Sequence, residues 1–194
     1  MKNHKIGVRL VLWVLATPLF GVAMASLAQT SNFDMTRFRE NWYVSHDDKP
    51  IIEVGLNKKE ISALLTKIGF DEHELSARRV DMGEGIEKGL VVQGKDYNLC
   101  GSGGCQTWFF RKVNGKWEPL VGDWGPDLDT LVGAFAFLPP KHNGLDELIV
   151  MTHLSAGRAP VEVWWFDKGK QKYLSNDSYC WDGVEEKAPE GPCQ

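Results

Sequence analysis

The residues with the clearest chemical potential are two closely spaced cysteines, Cys100 and Cys105, which are separated by Gly-Ser-Gly-Gly. In an oxidising compartment, cysteines at this spacing can form a disulfide that closes a small ring. Glycine adopts positive φ and lets another backbone approach closely, so the ring can turn sharply. Apolar runs on both sides, residues 89–92 and 107–110, predict two β-strands. The pattern predicts a disulfide-closed tip that contacts a partner through Cys100, Gly101, Ser102, Gly103, Gly104 and Cys105.

Ser102 is also a candidate nucleophile, since its Gly-Ser-Gly-Gly sequence is similar to the serine environment of trypsin-like proteases. The acidic residue that precedes the serine in those enzymes is missing, and no His–Asp pair stands out as its partner. We therefore expect a tight loop with an incidental serine, no catalytic residue and no cofactor. A hydrolase whose carboxylates come together only in the folded protein is the less favoured alternative.

The chain has four cysteines, and the other two are Cys180 and Cys193. An even number in an exported chain predicts disulfides, and three pairings are possible. The pairs Cys100–Cys105 and Cys180–Cys193 close the shortest loops and leave no free thiol, so we favour them. The spacings C-x4-C and C-x12-C lack the paired C-x2-C of many zinc sites, which argues against zinc. The polar tail, residues 178–194, is interpreted as a surface strap tied by the second disulfide.

Two further sets of residues could bind a ligand. Asp123, Asp127 and Asp129 fall in one short loop and could bind Ca²⁺ through their oxygens, although a solvated acidic turn is the more common outcome. Trp124 and Trp181 lie in predicted loops, where an exposed indole could stack on a sugar ring. Calcium or glycan binding is therefore the alternative to a partner-binding loop.

The first 28 residues have the three parts of a secretory signal peptide: a basic head, an apolar stretch and small residues at a cleavage position. Cleavage is expected after Ala25 or Ala28, and an uncleaved membrane anchor is the alternative. This segment contains 3 of the 22 basic residues and none of the 26 acidic ones, so 19 basic and 26 acidic residues remain and give residues 29–194 a net charge of −7. We expect a periplasmic or secreted protein that meets a membrane only through its signal, and its charge disfavours nucleic acid as a partner.

The remainder, residues 29–194, predicts a single, mainly β domain of antiparallel meanders with one amphipathic α-helix. Asn57 and Glu60 form a capping-box pattern, apolar residues recur at i, i+3, i+4 and i+7 within residues 58–68, and Gly69 stands where a C′ glycine belongs. We expect this helix to pack on a sheet. The predicted strands are residues 75–82, 89–93, 107–113, 116–121, 132–138, 147–152, 161–167 and 172–175.

An internal repeat relates residues 75–122 to residues 132–176. Each unit contains an aliphatic strand, a loop, an aromatic strand, a tight turn and a further strand. The matching segments are residues 90–92 with 148–150, 108–110 with 164–166, and 116–117 with 172–173. Two units are too few to close a β-propeller, so we expect two packed meanders with the helix covering one face.

The glycine-containing turns at residues 83–85 and 143–144, each followed by an aliphatic and then an aromatic strand, resemble FG-GAP-type β-repeats. The Cys-Gly-Ser-Gly-Gly-Cys loop also resembles a Cys-Gly-x-Gly-Gly-Cys element of small exported bacterial proteins. FG-GAP repeats commonly carry an Asp-x-Asp-x-Asp-Gly calcium loop, and the matching residues 81–86 and 140–146 lack that series of carboxylates. The resemblance covers about residues 75–174 and implies a β-repeat fold without such a calcium loop.

These features together predict an exported, non-enzymatic binding or inhibitor protein, of the kind that gives immunity to a toxin. Its disulfide-closed loop would enter a cleft of a protein partner, for which a cell-wall hydrolase or a toxin is the working hypothesis. A loop that is ordered in advance loses little entropy on docking, which favours this use.

Overall fold

The computed structural model describes residues 35–42, 48–123, 128–152, 157–182 and 193. These residues belong to one compact unit with two antiparallel β-sheets and two α-helices. The predicted fold class, mainly β with an amphipathic helix packed on a sheet, is confirmed. The predicted export signal, residues 1–28, lies outside the described residues, and no helix among the described ones is long and apolar enough to cross a membrane.

The first sheet, sheet 1, is formed by the N-terminal part of the domain. Its strands are β1 (Lys49–Pro50), β2 (Leu75–Val80), β3 (Gly89–Gly94), β4 (Cys100–Gly101), β5 (Gly104–Val113), β6 (Lys116–Pro119) and β7 (Leu131–Val132). The order of paired strands is β1-β2-β3-β5-β4, and β6 and β7 also pair with β5. Asn114 and Gly115 join β5 to β6 with φ values of 49° and 78°, the left-handed conformations that a tight hairpin turn requires.

The second sheet, sheet 2, is a meander of four consecutive strands. They are β8 (Ala134–His142), β9 (Leu145–Met151), β10 (Arg158–Asp167) and β11 (Lys172–Asp182), in the order β11-β10-β9-β8. β11 reaches Asp182, so the predicted surface strap was wrong for residues 178–182. Polar residues such as Asp177 and Ser178 interrupt the apolar pattern, so the sequence did not predict this part of the strand, which pairs with β10.

The predicted helix is present as α2 (Lys58–Ile68), with the same bounds. The Asn57 side chain accepts from the Glu60 amide and the Glu60 side chain accepts from the Asn57 amide, which completes the capping box. At the other end, Gly69 adopts φ 85° and donates to the carbonyl of Leu65. A second helix, α1 (Met35–Asn41), was not predicted, because its isolated apolar residues show no extended helical stripe.

Three buried clusters hold four layers together in the order α2, sheet 1, sheet 2 and α1. The cluster between α2 and sheet 1 includes Leu64, Ile68, Leu90, Val92, Trp108 and Phe110. The cluster between the sheets includes Val91, Phe109, Phe135, Leu148, Phe166 and Tyr173. The cluster between sheet 2 and α1 includes Met35, Phe38, Ile149, Val163 and Trp181.

The segments that the predicted repeat matches lie in strands at corresponding positions of the two sheets, and their side chains point in the same direction through the layers. Leu90 of β3 faces α2, and its match Leu148 of β9 faces sheet 1. Trp108 of β5 likewise faces α2, and its match Trp164 of β10 packs on the cluster between the sheets. The corresponding face is therefore covered in both sheets: α2 covers it on sheet 1, and sheet 1 covers it on sheet 2.

Candidate functional site

The predicted disulfide between Cys100 and Cys105 is present, and it joins directly paired residues of a β-hairpin. β4 and the start of β5 pair at Cys100–Cys105 and at Gly101–Gly104, which leaves Ser102 and Gly103 as the turn. Gly101 and Ser102 are exposed, whereas the two cysteines are half-buried. The ring is thus a short, covalently closed hairpin whose outer edge is formed by Gly101 and Ser102.

The inner side of this hairpin lies directly against backbone. Gly104 has φ 122°, and a Cβ atom placed on it would lie 2.9 Å from the backbone nitrogen of Gly133. Gly133 has φ 135°, and a Cβ atom there would lie 2.4 Å from the carbonyl oxygen of Met151. The start of β5, the β7–β8 connection and the end of β9 are therefore stacked with no room for side chains between them. This stack holds the hairpin in one orientation on the body of the protein.

The loop before the ring presents Tyr97, which sequence reasoning did not single out. Its side chain is 87% exposed. The loop is nevertheless ordered, because Asp96 Oδ1 accepts from the amides of Asn98 (2.9 Å) and Leu99 (3.2 Å). Leu99 is buried in the cluster under α2. It packs so close to Gly94 that a Cβ atom on Gly94 would lie 2.3 Å from the Cβ atom of Leu99. One aromatic residue in a polar loop carries no periodic signal, so its exposure could be learned only from the fold.

A shallow cavity of about 300 Å³ lies beside the hairpin, between Gln93, Ser102 and Ala134. Its described lining contains no ionisable side chain. Gln93 is buried and donates to the hydroxyl of Thr107 (2.9 Å). A serine hydroxyl is a weak nucleophile unless a base activates it, and no residue of this lining offers one to Ser102. The arrangement therefore suits recognition through backbone groups and a hydroxyl.

The structure contradicts the prediction that Trp181 lies in a loop as a surface candidate for ligand binding. Trp181 belongs to β11, pairs with Ala159 of β10 and is only 8% exposed. It packs in the cluster under α1, where the Arg39 guanidinium lies 5.9 Å from its ring centroid. Trp124 and Asp127 lie outside the described residues.

Asp123 and Asp129, the other two candidates for a calcium site, are both exposed. Asp123 Oδ1 lies 3.1 Å from Lys172 Nζ, which also donates to the carbonyls of Pro119 (2.9 Å) and Gly122 (2.5 Å). The carboxylate of Asp123 therefore has a lysine as its partner. In the described ranges, no group of three or more His, Cys, Asp or Glu residues is placed to hold a metal ion.

The two loops compared above with FG-GAP turns come together, which the sequence did not predict. Asp81 Oδ1 accepts from the amides of Gly85 and Gly83 (2.8 Å each), and these hydrogen bonds, that of Gly85 first, hold the pKa of Asp81 below its usual value. Asp146 Oδ1 is buried and has no hydrogen-bond partner in the part of the chain that the structure describes. Burial raises the pKa of Asp146, the charge of Asp81 raises it further, and Lys141 opposes both effects.

No protein-family model matches this chain, and comparisons with curated proteins and with solved structures give no significant match. The resemblance to FG-GAP-type repeats and to exported proteins with a Cys-Gly-x-Gly-Gly-Cys loop therefore stays a prediction.

Proposed function

We propose that this chain is an exported, non-enzymatic binding or inhibitor protein that uses the disulfide-closed hairpin to bind a protein partner. One observation carries the proposal: Tyr97 and Ser102 are both exposed, on two short segments that are each fixed to the core. They are five residues apart in sequence, so their Cα atoms lie within about 18 Å of each other. This separation lies within the span of one protein–protein interface, which covers about 800 Å² on each partner.

The geometry lowers the entropic cost of binding. The disulfide and the Gly104–Gly133 contact order the hairpin, and Asp96 orders the loop that carries Tyr97. Ordering a mobile side chain at an interface costs roughly 0.5–1.5 kcal/mol, and ordering loops adds to that cost. Tyrosine supplies a large contact area with two side-chain torsions, which is why it is common at binding hot spots.

The shape of the hairpin indicates a concave partner surface. A Cβ atom on Gly101 would meet nothing within 4 Å, so partner atoms can approach the backbone here. The net charge of −7 for residues 29–194 favours a basic partner. A cell-wall hydrolase or a toxin with a basic cleft fits both properties, and the periplasm or the extracellular medium is the compartment in which the disulfides Cys100–Cys105 and Cys180–Cys193 would persist.

The experiment is affinity capture from periplasmic and secreted extracts, followed by isothermal titration calorimetry with the captured protein after purification. We compare the wild type with Tyr97→Ala, Ser102→Trp and the double variant Cys100→Ser/Cys105→Ser. Ile86→Ala is the matched control, since Ile86 is also an exposed apolar residue (54%) but lies in the β2–β3 loop.

We expect Tyr97→Ala and Ser102→Trp to weaken binding of one protein at least tenfold with an unchanged melting temperature, and Ile86→Ala to bind normally. A partner that binds all variants equally would show that the hairpin is only a structural staple, and the absence of any captured protein would also contradict the proposal.

A further inference from the structure

We propose a second binding site, for one ring of a neutral sugar, in a cavity on sheet 2 where His142 stacks on Trp165. This site is independent of the hairpin and goes beyond the function proposed above. The cavity has a volume of about 270 Å³. Cavities that hold drug-sized ligands measure about 300–1,000 Å³, so this one suits a single ring.

The aromatic wall of the cavity is rigid. The imidazole of His142 lies 4.1 Å from the indole of Trp165, centroid to centroid, with 9° between their planes. His142 Nε2 is 2.7 Å from Oε1 of Glu147, which is buried, so this contact fixes the imidazole in its plane. The stack covers one face of each ring, so a sugar would pack its apolar face on an outer face of the pair, which the His142–Glu147 contact holds in place.

The rim of the cavity carries hydrogen-bonding groups that the protein itself does not use. Ser175 and Asn176 are exposed at the cavity, and within the described ranges their side chains make no hydrogen bond. Asp167 Oδ1 accepts from the amide of Lys170 (2.8 Å), which leaves its second oxygen available. A hydroxyl, an amide and a carboxylate can together donate to and accept from the hydroxyls of a sugar.

A backbone irregularity places one of these groups. The pairing of β10 with β11 shifts between Val163 and Trp164, so that Val163 pairs with Asp177 and Trp164 with Ser175. Asn176 is therefore the extra residue of a β-bulge. Bulges redirect a side chain locally and are frequent beside binding sites.

The charges around the cavity select a neutral ligand. Asp167 contributes a carboxylate to the lining, Glu147 places a second one behind His142, and no lysine or arginine stands among the described lining residues. A sugar with a carboxylate or phosphate would meet repulsion from Asp167 without a lysine or arginine to offset it.

The test is calorimetry and ligand-observed NMR on the oxidised protein with three probes: a β-1,4-linked N-acetylglucosamine tetramer, cellotetraose and tetragalacturonate. We expect at least one neutral tetramer to bind with a Kd of about 1 mM, the scale of a few good contacts, and the uronate to bind at least tenfold more weakly. Ser175→Ala and Asn176→Ala should each weaken binding threefold or more without changing the melting temperature. Asn98→Ala, at another exposed asparagine, and the Cys100→Ser/Cys105→Ser variant should bind like the wild type.

Trp165→Ala should abolish binding, but it also removes packing under α1 and could lower the stability of the variant. The rim variants, and the NMR shift of the Trp165 indole N–H when the wild type is titrated, test the site without this substitution. The proposal is wrong if the Kd of each neutral tetramer is above about 10 mM. Normal binding by both rim variants, or equal binding of the uronate, would also overturn it.

Discussion

The backbones of Gly104 and Gly133 lie in contact, since a Cβ atom on Gly104 would come within 2.9 Å of the Gly133 nitrogen. Gly104 begins β5 in sheet 1, whereas Gly133 lies between β7 and β8, where the chain passes from sheet 1 to sheet 2. The disulfide-closed hairpin is therefore anchored at the connection between the two sheets. Both residues have φ values that favour glycine, 122° and 135°, so the contact depends on the absence of side chains.

We predict that Gly104→Ala lowers the free energy of unfolding by about 2 kcal/mol or more, because the alanine is strained at this φ and its Cβ overlaps the Gly133 backbone. Gly101→Ala is a matched control, since Gly101 pairs directly with Gly104 and its Cβ would meet nothing within 4 Å. It should change stability by less than about 0.5 kcal/mol. Urea denaturation followed by tryptophan fluorescence measures both, and equal losses would contradict the proposed anchor.

Glu60 links α2 to the β5–β6 hairpin, and we predict that its contribution to stability depends on pH. Its side chain accepts from Lys112 (2.8 Å), Trp117 (3.2 Å) and the Asn57 amide (3.0 Å), and these contacts, that of Lys112 first, hold the pKa of Glu60 below its usual value. A carboxyl with a lowered pKa in the folded state stabilises the fold above its unfolded pKa of about 4.3, and this stabilisation is lost as the pH falls through the folded pKa.

Glu60→Gln should therefore cost about 1 kcal/mol at pH 7, the scale of hydrogen bonds to a charged group at a partly exposed site, and clearly less at pH 2.5, below the unfolded pKa. Glu53→Gln is the control, because Glu53 is exposed and makes no ion pair or side-chain hydrogen bond among the described residues. Chemical denaturation at the two pH values gives the difference. A loss for Glu60→Gln that is the same at both pH values would mean that shape, not charge, holds α2 on the hairpin.

The features that the sequence predicted are those whose signals lie within a few neighbouring residues. Asn57, Glu60 and Gly69 mark both ends of α2 by local hydrogen bonding, and short loops favoured the Cys100–Cys105 disulfide. The exposure of Tyr97 and of Trp181 could not be predicted in this way, because it depends on which distant parts of the chain pack against each side chain. A tryptophan with polar neighbours was interpreted as a loop residue, and long-range pairing with Ala159 buried it.

The same limit applies to relationships between distant loops. The predicted repeat matches β3 with β9 and β5 with β10, but it does not indicate which face of each strand meets the other sheet. Asp81 and Asp146 lie 65 positions apart in the sequence, and the packing of sheet 1 on sheet 2 brings their loops together, with the Asp146 amide donating to the Met82 carbonyl.

Asp81 and Asp146 should affect stability with opposite signs, which provides a test of this junction. Asp81 has a lowered pKa, so its ionised form stabilises the fold above the unfolded value of about 3.9. Asp81→Asn weakens the bonds from the amides of Gly85 and Gly83 and should cost about 1 kcal/mol at pH 7. At pH 2.5, below the unfolded pKa, the cost should be smaller, because this stabilisation is lost as the pH falls through the lowered pKa of folded Asp81.

Asp146 has a raised pKa because its carboxyl is buried, so the folded state holds the proton more tightly than the unfolded state does. Its ionised form therefore opposes folding, and stability is lost as the pH rises from about 3.9 through the folded pKa. Asp146→Asn removes this charge and the repulsion from Asp81, and it should raise the free energy of unfolding by up to about 1 kcal/mol at pH 7 and leave it unchanged at pH 2.5. Denaturation of both variants at the two pH values decides the matter: if Asp146→Asn destabilises at pH 7, the attraction between Asp146 and Lys141 outweighs the cost of burying the carboxylate.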